Sequence, residues 1–374
     1  MAKKSIISYG RQWIDDDDIK EVIKVLKSDW LTQGPKVEEF EKAVAKYCGV
    51  KYGVAVSSGT AALHSAYIVA GIKSGDEIIT TPLTFAATAN MMVFCGAKPI
   101  FVDIQENTLN IDPVEIEKKI TKKTKAIVSV DFAGHPCDYD EILKIAKKYN
   151  LLVIEDACHA LGAEYKNKRI GSLADMTILS FHPVKHITTG EGGMVLTNNK
   201  DFYEKLKVFR HHGIVKKSEN DKWYYEIENP GFNYRITDFQ CALGLSQLKK
   251  INKFIKRRRD IVAEYNKAFK NIKEIIIPVE KKYVKSSWHI YPIQIKRIDR
   301  KRIFDDLQKE GIGCQVHYMP LHLHPFYKKK FGYKKGDFPI AERYYERAIT
   351  LPLFPKMTGK NIKKVIKKII NNLK

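Results

Sequence analysis

Between residues 53 and 197 the chain alternates short apolar runs with longer stretches of helical spacing. The runs at 53–56, 77–80, 99–102, 126–130, 151–154, 176–180 and 193–197 are short and rich in Val and Ile, and they read as strands. Leu151-Leu152-Val153-Ile154 is apolar at every position, which suits a strand buried on both faces. Helical or loop stretches such as 61–70, 86–94, 112–120 and 139–148 separate the first five runs. Strands alternating with helices predict an α/β fold with a mostly parallel sheet covered on both sides. Ahead of this region, Asp15-Asp16-Asp17-Asp18 opens an amphipathic stretch and reads as a helix start, because acidic groups there suit the macrodipole. A second helix is expected over 37–47. Beyond the sheet, the pattern predicts one long helix over 238–269, a strand over 287–296, a helix over 300–310, a strand over 314–318 and a final helix from Gly359. This divides the chain into a large domain, 1–250, and a smaller α/β domain, 251–374, with residues 1–14 open to packing against either.

A length of 374 residues suits a large domain plus a small one, and 44% hydrophobic content is enough for a sizeable core. The most apolar stretch, 78–102, is broken by Thr80, Thr81, Pro82, Thr84, Asn90 and Lys98, so no membrane span is expected. Met1-Ala2-Lys3-Lys4-Ser5 has no apolar run after it, so a signal peptide is not expected and the natural location is cytoplasmic. The six cysteines are scattered without a CxxC pair, which indicates neither a zinc site nor a disulfide framework. The net charge of +22 raises nucleic acid as a partner. The lysines, however, are spread along the whole chain and punctuate helical patterns, as a solvated face would. Lys256-Arg257-Arg258-Arg259 is the one dense cluster. Weak, non-specific binding to nucleic acid is the expectation.

No Walker lysine loop, GxGxxG, HExxH or EF-hand loop is present. What remains are polar residues at strand ends, where open α/β sheets bind ligands. Ser57-Ser58-Gly59-Thr60 follows a strand and opens a helix, a place where backbone N–H groups can hold phosphate; an ordinary N-cap accounts for it equally well. Asp156 follows a buried strand and could pair with a protonated ring nitrogen, or could cap a helix beside a core His159. Lys185, in a loop after a strand and ahead of Thr188-Thr189-Gly190-Glu191-Gly192-Gly193, could be a desolvated Schiff-base lysine or one surface lysine among many. In Gly231-Phe232-Asn233-Tyr234-Arg235-Ile236-Thr237-Asp238, Thr237 or Asp238 could cap the next helix, and Asn233 and Arg235 could reach an anion.

The order and spacing of these four sets resemble the sugar-nucleotide aminotransferases of the DegT/DnrJ/EryC1/StrS family, from Trp30-Leu31-Thr32-Gln33-Gly34-Pro35 to the final helix. Thr80-Thr81-Pro82-Leu83-Thr84-Phe85-Ala86-Ala87-Thr88-Ala89-Asn90, Val130-Asp131-Phe132-Ala133-Gly134, Ser180-Phe181-His182-Pro183-Val184-Lys185, Gly213-Ile214-Val215-Lys216-Lys217 and Gly311-Ile312-Gly313-Cys314-Gln315-Val316-His317-Tyr318 resemble the members that serve pseudaminic acid biosynthesis. The resemblance implies the fold type I (aspartate aminotransferase-like) architecture of enzymes that use pyridoxal 5'-phosphate (PLP), with pyridoxamine 5'-phosphate formed between the two half-reactions. It implies transfer of an amino group from L-glutamate to C4 of a UDP-linked 2-acetamido-2,6-dideoxy-4-keto-hexose, and no metal.

By the same resemblance, Lys185 is the Schiff-base lysine and proton shuttle, and Asp156 pairs with the pyridinium nitrogen. His159 sits near the cofactor's phenolic oxygen and Phe85 stacks on its ring. Ser58, Gly59, Thr60 and Ser180 hold its phosphate. Asn233 reaches the phosphate in the other subunit, so two sites are shared in a homodimer. His317 and Tyr318 belong to a segment that contacts the nucleotide sugar, and Glu191 has no separate role. Amination at C3, or at C4 in a related nucleotide-sugar pathway, remains an alternative. A sugar 3-dehydratase would carry His where this chain has Lys185. A catalytically silent binding or regulatory protein would not need Lys185, Asp156 and Ser58-Gly59-Thr60 intact.

Overall fold

The computed structural model describes residues 6–216 and 223–373. Met1–Ser5 and Lys217, which figured in the sequence reading, lie outside the described residues. The chain begins with helices α1 (Asp16–Leu26) and α2 (Pro35–Cys48). It then alternates β1 (Tyr52–Val56), α3 (Gly59–Val69), β2 (Glu77–Thr80), α4 (Ala86–Phe94), β3 (Lys98–Phe101), α5 (Pro113–Lys118), β4 (Thr124–Val130), α6 (Tyr139–Tyr149) and β5 (Leu152–Asp156). Two-residue strands β6 (Glu164–Tyr165) and β7 (Lys168–Arg169) precede β8 (Met176–Ser180) and β9 (Gly193–Thr197). The seven longer strands form one sheet in the order β1-β9-β8-β5-β4-β2-β3. Neighbours from β8 to β3 run parallel, while β9 runs antiparallel to both β1 and β8.

Strand alternation sets the two faces. Val54 and Val56 of β1, Val128 of β4 and Ile154 of β5 join a cluster with α3 and α4; Ala55, Ile127 and Val153, one position off, join a second cluster with α2 and α6. Each fully buried aliphatic side chain of this kind contributes about 1.5–3 kcal/mol. The free edge at β3 is closed by one side chain: the Tyr333 hydroxyl donates to the Pro99 carbonyl (2.9 Å) and accepts from the Phe101 amide (3.2 Å).

After α7 (Lys200–Phe209), the predicted helix over 238–269 is two helices, α8 (Asp238–Lys249) and α9 (Ile251–Phe269). The chain turns at Lys250, whose N–H returns to the Gln247 carbonyl and whose ammonium binds Asp15 and Asp18. α8 packs on α1 and α2; α9 gives Ile251 and Ile255 to the second cluster and, from Ile261 on, builds a third core with later residues up to Ile369 and with Ile7. The N-terminal segment is tied to that core, since Ile7 exchanges backbone bonds with Gly311 and Gly313. The strand expected over 287–296 is restricted to Tyr291–Ile295, because the Ser287 and His289 amides bond Gly134 and Ala133 instead. That strand pairs on either side with Ile275–Ile276 and Ala348–Leu351. The strand expected over 314–318 does not form. Only Gln315 pairs with Thr350, and the chain then leaves towards the large sheet, where Leu321, Tyr327, Phe338, Ala341 and Tyr344 enter the first cluster.

In the basic cluster Lys256 is exposed, while the three arginines are tied to the chain. Arg258 is fully buried and donates to the carbonyls of Trp288, His289 and Leu353, and burial pulls its guanidinium down to about 10. Arg259 binds Glu280, and Arg257 bonds the Met357 carbonyl.

Candidate active site

A cavity of about 390 Å³ lies beyond the ends of β1, β4, β5 and β8. Ser58, Gly59, Thr60, Phe85, Asp156, His159, Ser180, Lys185, His317 and Tyr318, ten of the residues singled out from sequence, all line it.

β1 delivers the chain to Ser58, the extended N-cap of α3, whose hydroxyl oxygen accepts from the Ala61 amide at 3.1 Å. That bond uses an oxygen lone pair and leaves the Ser58 hydrogen to donate. Gly59 and Thr60 follow in the first turn, where N–H groups have no carbonyl within the helix to bond. The approach is close. A Cβ on Gly59 would come within 3.1 Å of the Ser180 Cβ, and one on Gly193 within 2.3 Å of the Ser58 carbonyl oxygen. The capping role and a role in holding an anion are therefore compatible at Ser58.

Asp156 is the last residue of β5, not a helix cap, and it is buried. Its Oδ1 accepts from the Cys158 amide (3.2 Å) and its Oδ2 from the Thr88 hydroxyl (2.7 Å). His159 is buried beside it, with Nε2 3.1 Å from the Tyr318 hydroxyl. Its ring centroid is 4.3 Å from that of His289, which is 5.6 Å from that of His186. Burial pushes all three imidazoles well below the usual histidine range, helped by the positive charge of Lys185. Lys185 follows a turn closed by its amide on the His182 carbonyl, at 2.9 Å. Desolvation lowers its ammonium, opposed by the nearby Asp156 carboxylate.

The opposite wall comes from residues distant in sequence. His317 Nδ1 lies 2.9 Å from the Thr350 hydroxyl, and burial lowers its imidazole to about 4. Phe85 is 60% exposed at the mouth, with its ring centroid 6.1 Å from that of Tyr318. Asn233 is the exception among the singled-out residues. It is exposed, outside the cavity lining, and bridged through its backbone to His211. In the same segment Thr237 caps α8, whereas Asp238 reaches back to the Gly34 and Lys36 amides at the start of α2.

Several lining residues were given no role in the sequence reading, among them Tyr9, Thr84, Thr88, His182 and His289. Thr84 precedes the Phe85 N-cap and Thr88 lies in the first turn of α4, so no helical spacing pairs them in the sequence. Nothing local marks Tyr9 or His289. Glu191, given no role from sequence, also lines the cavity. No group of three His, Cys, Asp or Glu residues able to hold a metal ion occurs among the described residues, and none of their helices is long and apolar enough to cross a membrane.

The model of the DegT/DnrJ/EryC1/StrS aminotransferase family matches residues 12–370. Among curated relatives, Uncharacterized protein MJ1066 of Methanocaldococcus jannaschii is 50% identical over 99% of both chains. Spore coat polysaccharide biosynthesis protein SpsC of Bacillus subtilis is 44% identical over 98% of this chain and 97% of its own. The UDP-4-amino-4,6-dideoxy-N-acetyl-beta-L-altrosamine transaminase of Campylobacter jejuni is 44% identical over 96% and 95%. Among solved structures, Helicobacter pylori PseC, an aminotransferase of pseudaminic acid biosynthesis, superposes with a TM-score of 0.94 at 37% identity over 98% of this chain and 99% of that one. The PLP form of the putative sugar aminotransferase Spr1654 from Streptococcus pneumoniae gives 0.93 at 33% identity over 98% of each.

Proposed function

The chain belongs to the DegT/DnrJ/EryC1/StrS aminotransferase family, and from that premise we propose that it moves an amino group from L-glutamate to C4 of a UDP-linked 2-acetamido-2,6-dideoxy-4-keto-hexose, using PLP, in pseudaminic acid biosynthesis. Its fold is the aspartate aminotransferase-like fold type I. The observation that carries the reading is the convergence of Lys185, Asp156 and the start of α3 on one cavity.

The residues present fit the cofactor. The first-turn N–H groups of α3 at Gly59 and Thr60 have no carbonyl within the helix and can take a phosphate, and Ser58 keeps a hydrogen to donate to it. Thr60 and Ser180 add hydroxyls. Asp156 supplies a fixed anion for a protonated ring nitrogen, His159 a neutral imidazole for the phenolic oxygen, and Phe85 an aromatic face. Bound PLP supplies an electron sink for the charge left on the donor's α-carbon when its proton is removed. Lys185 Nζ, its ammonium lowered by desolvation, is the nucleophile and the carrier of that proton. His317 and Tyr318 wall the side assigned to the nucleotide sugar.

Asn233, exposed and outside the cavity of its own chain, is assigned to the phosphate of a second subunit, which makes the working unit a homodimer with shared sites. A division at about residue 250 is supported by the third core, with residues 321–344 returning to the large sheet. A cytoplasmic location is supported by six cysteines without a disulfide.

Visible absorbance tests the reading. Protein mixed with PLP should show a yellow band that fades with L-glutamate and returns with the UDP-linked 4-keto-sugar, and NMR of the product should place the amine at C4. Lys185→Ala should fold and show neither the band nor turnover. A band in the Lys185→Ala protein, or an amine at C3, would contradict the proposal.

A further inference from the structure

Asp156 is held by a chain of hydroxyl groups whose direction can be read from valence alone. Thr88 Oγ1 lies 2.7 Å from Asp156 Oδ2 and 2.8 Å from Thr84 Oγ1. All three residues are buried. A threonine hydroxyl has one hydrogen to donate, and an ionised carboxylate has none. The Thr88 hydrogen is therefore committed to Asp156, and the Thr84 hydrogen to Thr88. Thr88 is itself clamped: its amide donates to the Phe85 carbonyl (3.2 Å), and its carbonyl accepts from the buried Tyr67 hydroxyl (3.0 Å). The other carboxylate oxygen is fixed from a different element by the Cys158 amide.

We propose that Thr88, backed by Thr84, is a positioning residue that sets the plane of the Asp156 carboxylate through this one-way relay; the inference rests on the reading that Asp156 faces the cofactor's ring nitrogen. Two donors from separate elements leave the carboxylate no free rotation, and hydrogen bonds to a charged acceptor are about twice as strong as neutral ones. The relay also fixes the character of the cavity wall. Thr84 lines the cavity with its hydrogen already spent, so it offers an incoming ligand only lone pairs and accepts from a donor there.

The test compares Thr88→Val, Thr88→Ser, Thr84→Val and Asp156→Asn with the parent protein. It reads the PLP dissociation constant by equilibrium dialysis, the pH dependence of the visible band, and kcat. Thr88→Val keeps the side-chain shape and removes the donor. It should weaken PLP binding about tenfold, displace the pH titration of the band and lower kcat, while Thr88→Ser stays within about twofold of the parent. Thr84→Val should change the same quantities in the same direction by about threefold, since Thr88 can still donate. If Thr88→Val matches the parent while Asp156→Asn is impaired, the relay is wrong and the reading of Asp156 stands. If Asp156→Asn matches the parent, that reading fails and the relay falls with it. Should Thr88→Val not fold, Thr84→Val decides, and parental affinity and titration there overturn the relay.

Discussion

The Tyr318 hydroxyl and His159 Nε2 stand 3.1 Å apart although 159 positions separate them in the chain. The bond joins the segment that leaves Thr350 to the loop after β5, so one wall of the cavity is fastened to its floor. Tyr318→Phe removes the hydroxyl and leaves the imidazole nitrogen without this partner. It should fold normally and lose about five- to tenfold in kcat/KM, the worth of one hydrogen bond. Steady-state kinetics with unchanged kcat/KM would separate Tyr318 from the reaction.

Asn233 offers a test of the shared site. Its side chain is exposed, and its backbone is held by the bridge to His211. Asn233→Ala should therefore leave the circular dichroism spectrum intact and weaken PLP retention about tenfold. Equal affinity would remove Asn233 from the site.

The three neighbouring buried imidazoles make the fold sensitive to acid. His159, His186 and His289 are held well below the usual value by burial, so the folded chain keeps them neutral. The unfolded chain protonates them below about pH 6.5. Their stabilising contribution is present above that pH and is lost as pH falls towards the folded values, by at most about 1.4 kcal/mol per pH unit for each group. Urea midpoints should drop between pH 7 and pH 5, and His186→Gln, which can still donate to the Ser287 carbonyl, should flatten the drop. An unchanged slope would show that His186 becomes charged inside the fold.

Asp131 has the opposite sign. It is fully buried, its Oδ1 accepts from the Cys137 amide and the Tyr139 hydroxyl, and burial beside Glu155 raises its carboxyl well above the usual range. The folded state keeps a proton that the unfolded chain releases near pH 4. This contribution is complete below that pH and declines as pH rises towards the folded value. Asp131→Asn mimics the protonated acid and should remove the decline while staying within about 1 kcal/mol of the parent at neutral pH. Denaturation curves at pH 5 and pH 8 would show it; parallel pH dependence in both proteins would mean that Asp131 is ionised in the fold.

Much of this was legible along the chain because buried parallel strands announce themselves as apolar runs, and ligands gather at their ends. Ser58, Asp156 and Lys185 were found that way. What escaped was set by contacts between distant segments. Thr88 meets Asp156 across 68 positions, and no local pattern carries that pairing. The turn at Lys250 has no Gly or Pro to mark it; beyond it α9 shares the second cluster through Ile251 and Ile255 and then builds the third from Ile261 onward. Residues 314–318 look like a strand, yet the demand that Tyr318 reach His159 takes them off the sheet. Arg258 stood in the sequence only as one of a dense run of four basic residues, and only the three carbonyls around it explain its burial.

The phenol of Tyr333 has a consequence beyond the fold. An edge strand with free amides and carbonyls is a template on which another chain can add a strand and begin fibril growth. Here one hydroxyl occupies both the Pro99 carbonyl and the Phe101 amide, and Pro99 has no amide to offer. At this edge a neighbouring chain is thereby denied the open backbone on which a cross-β stack would extend, at the cost of one side chain on the rim of the sheet.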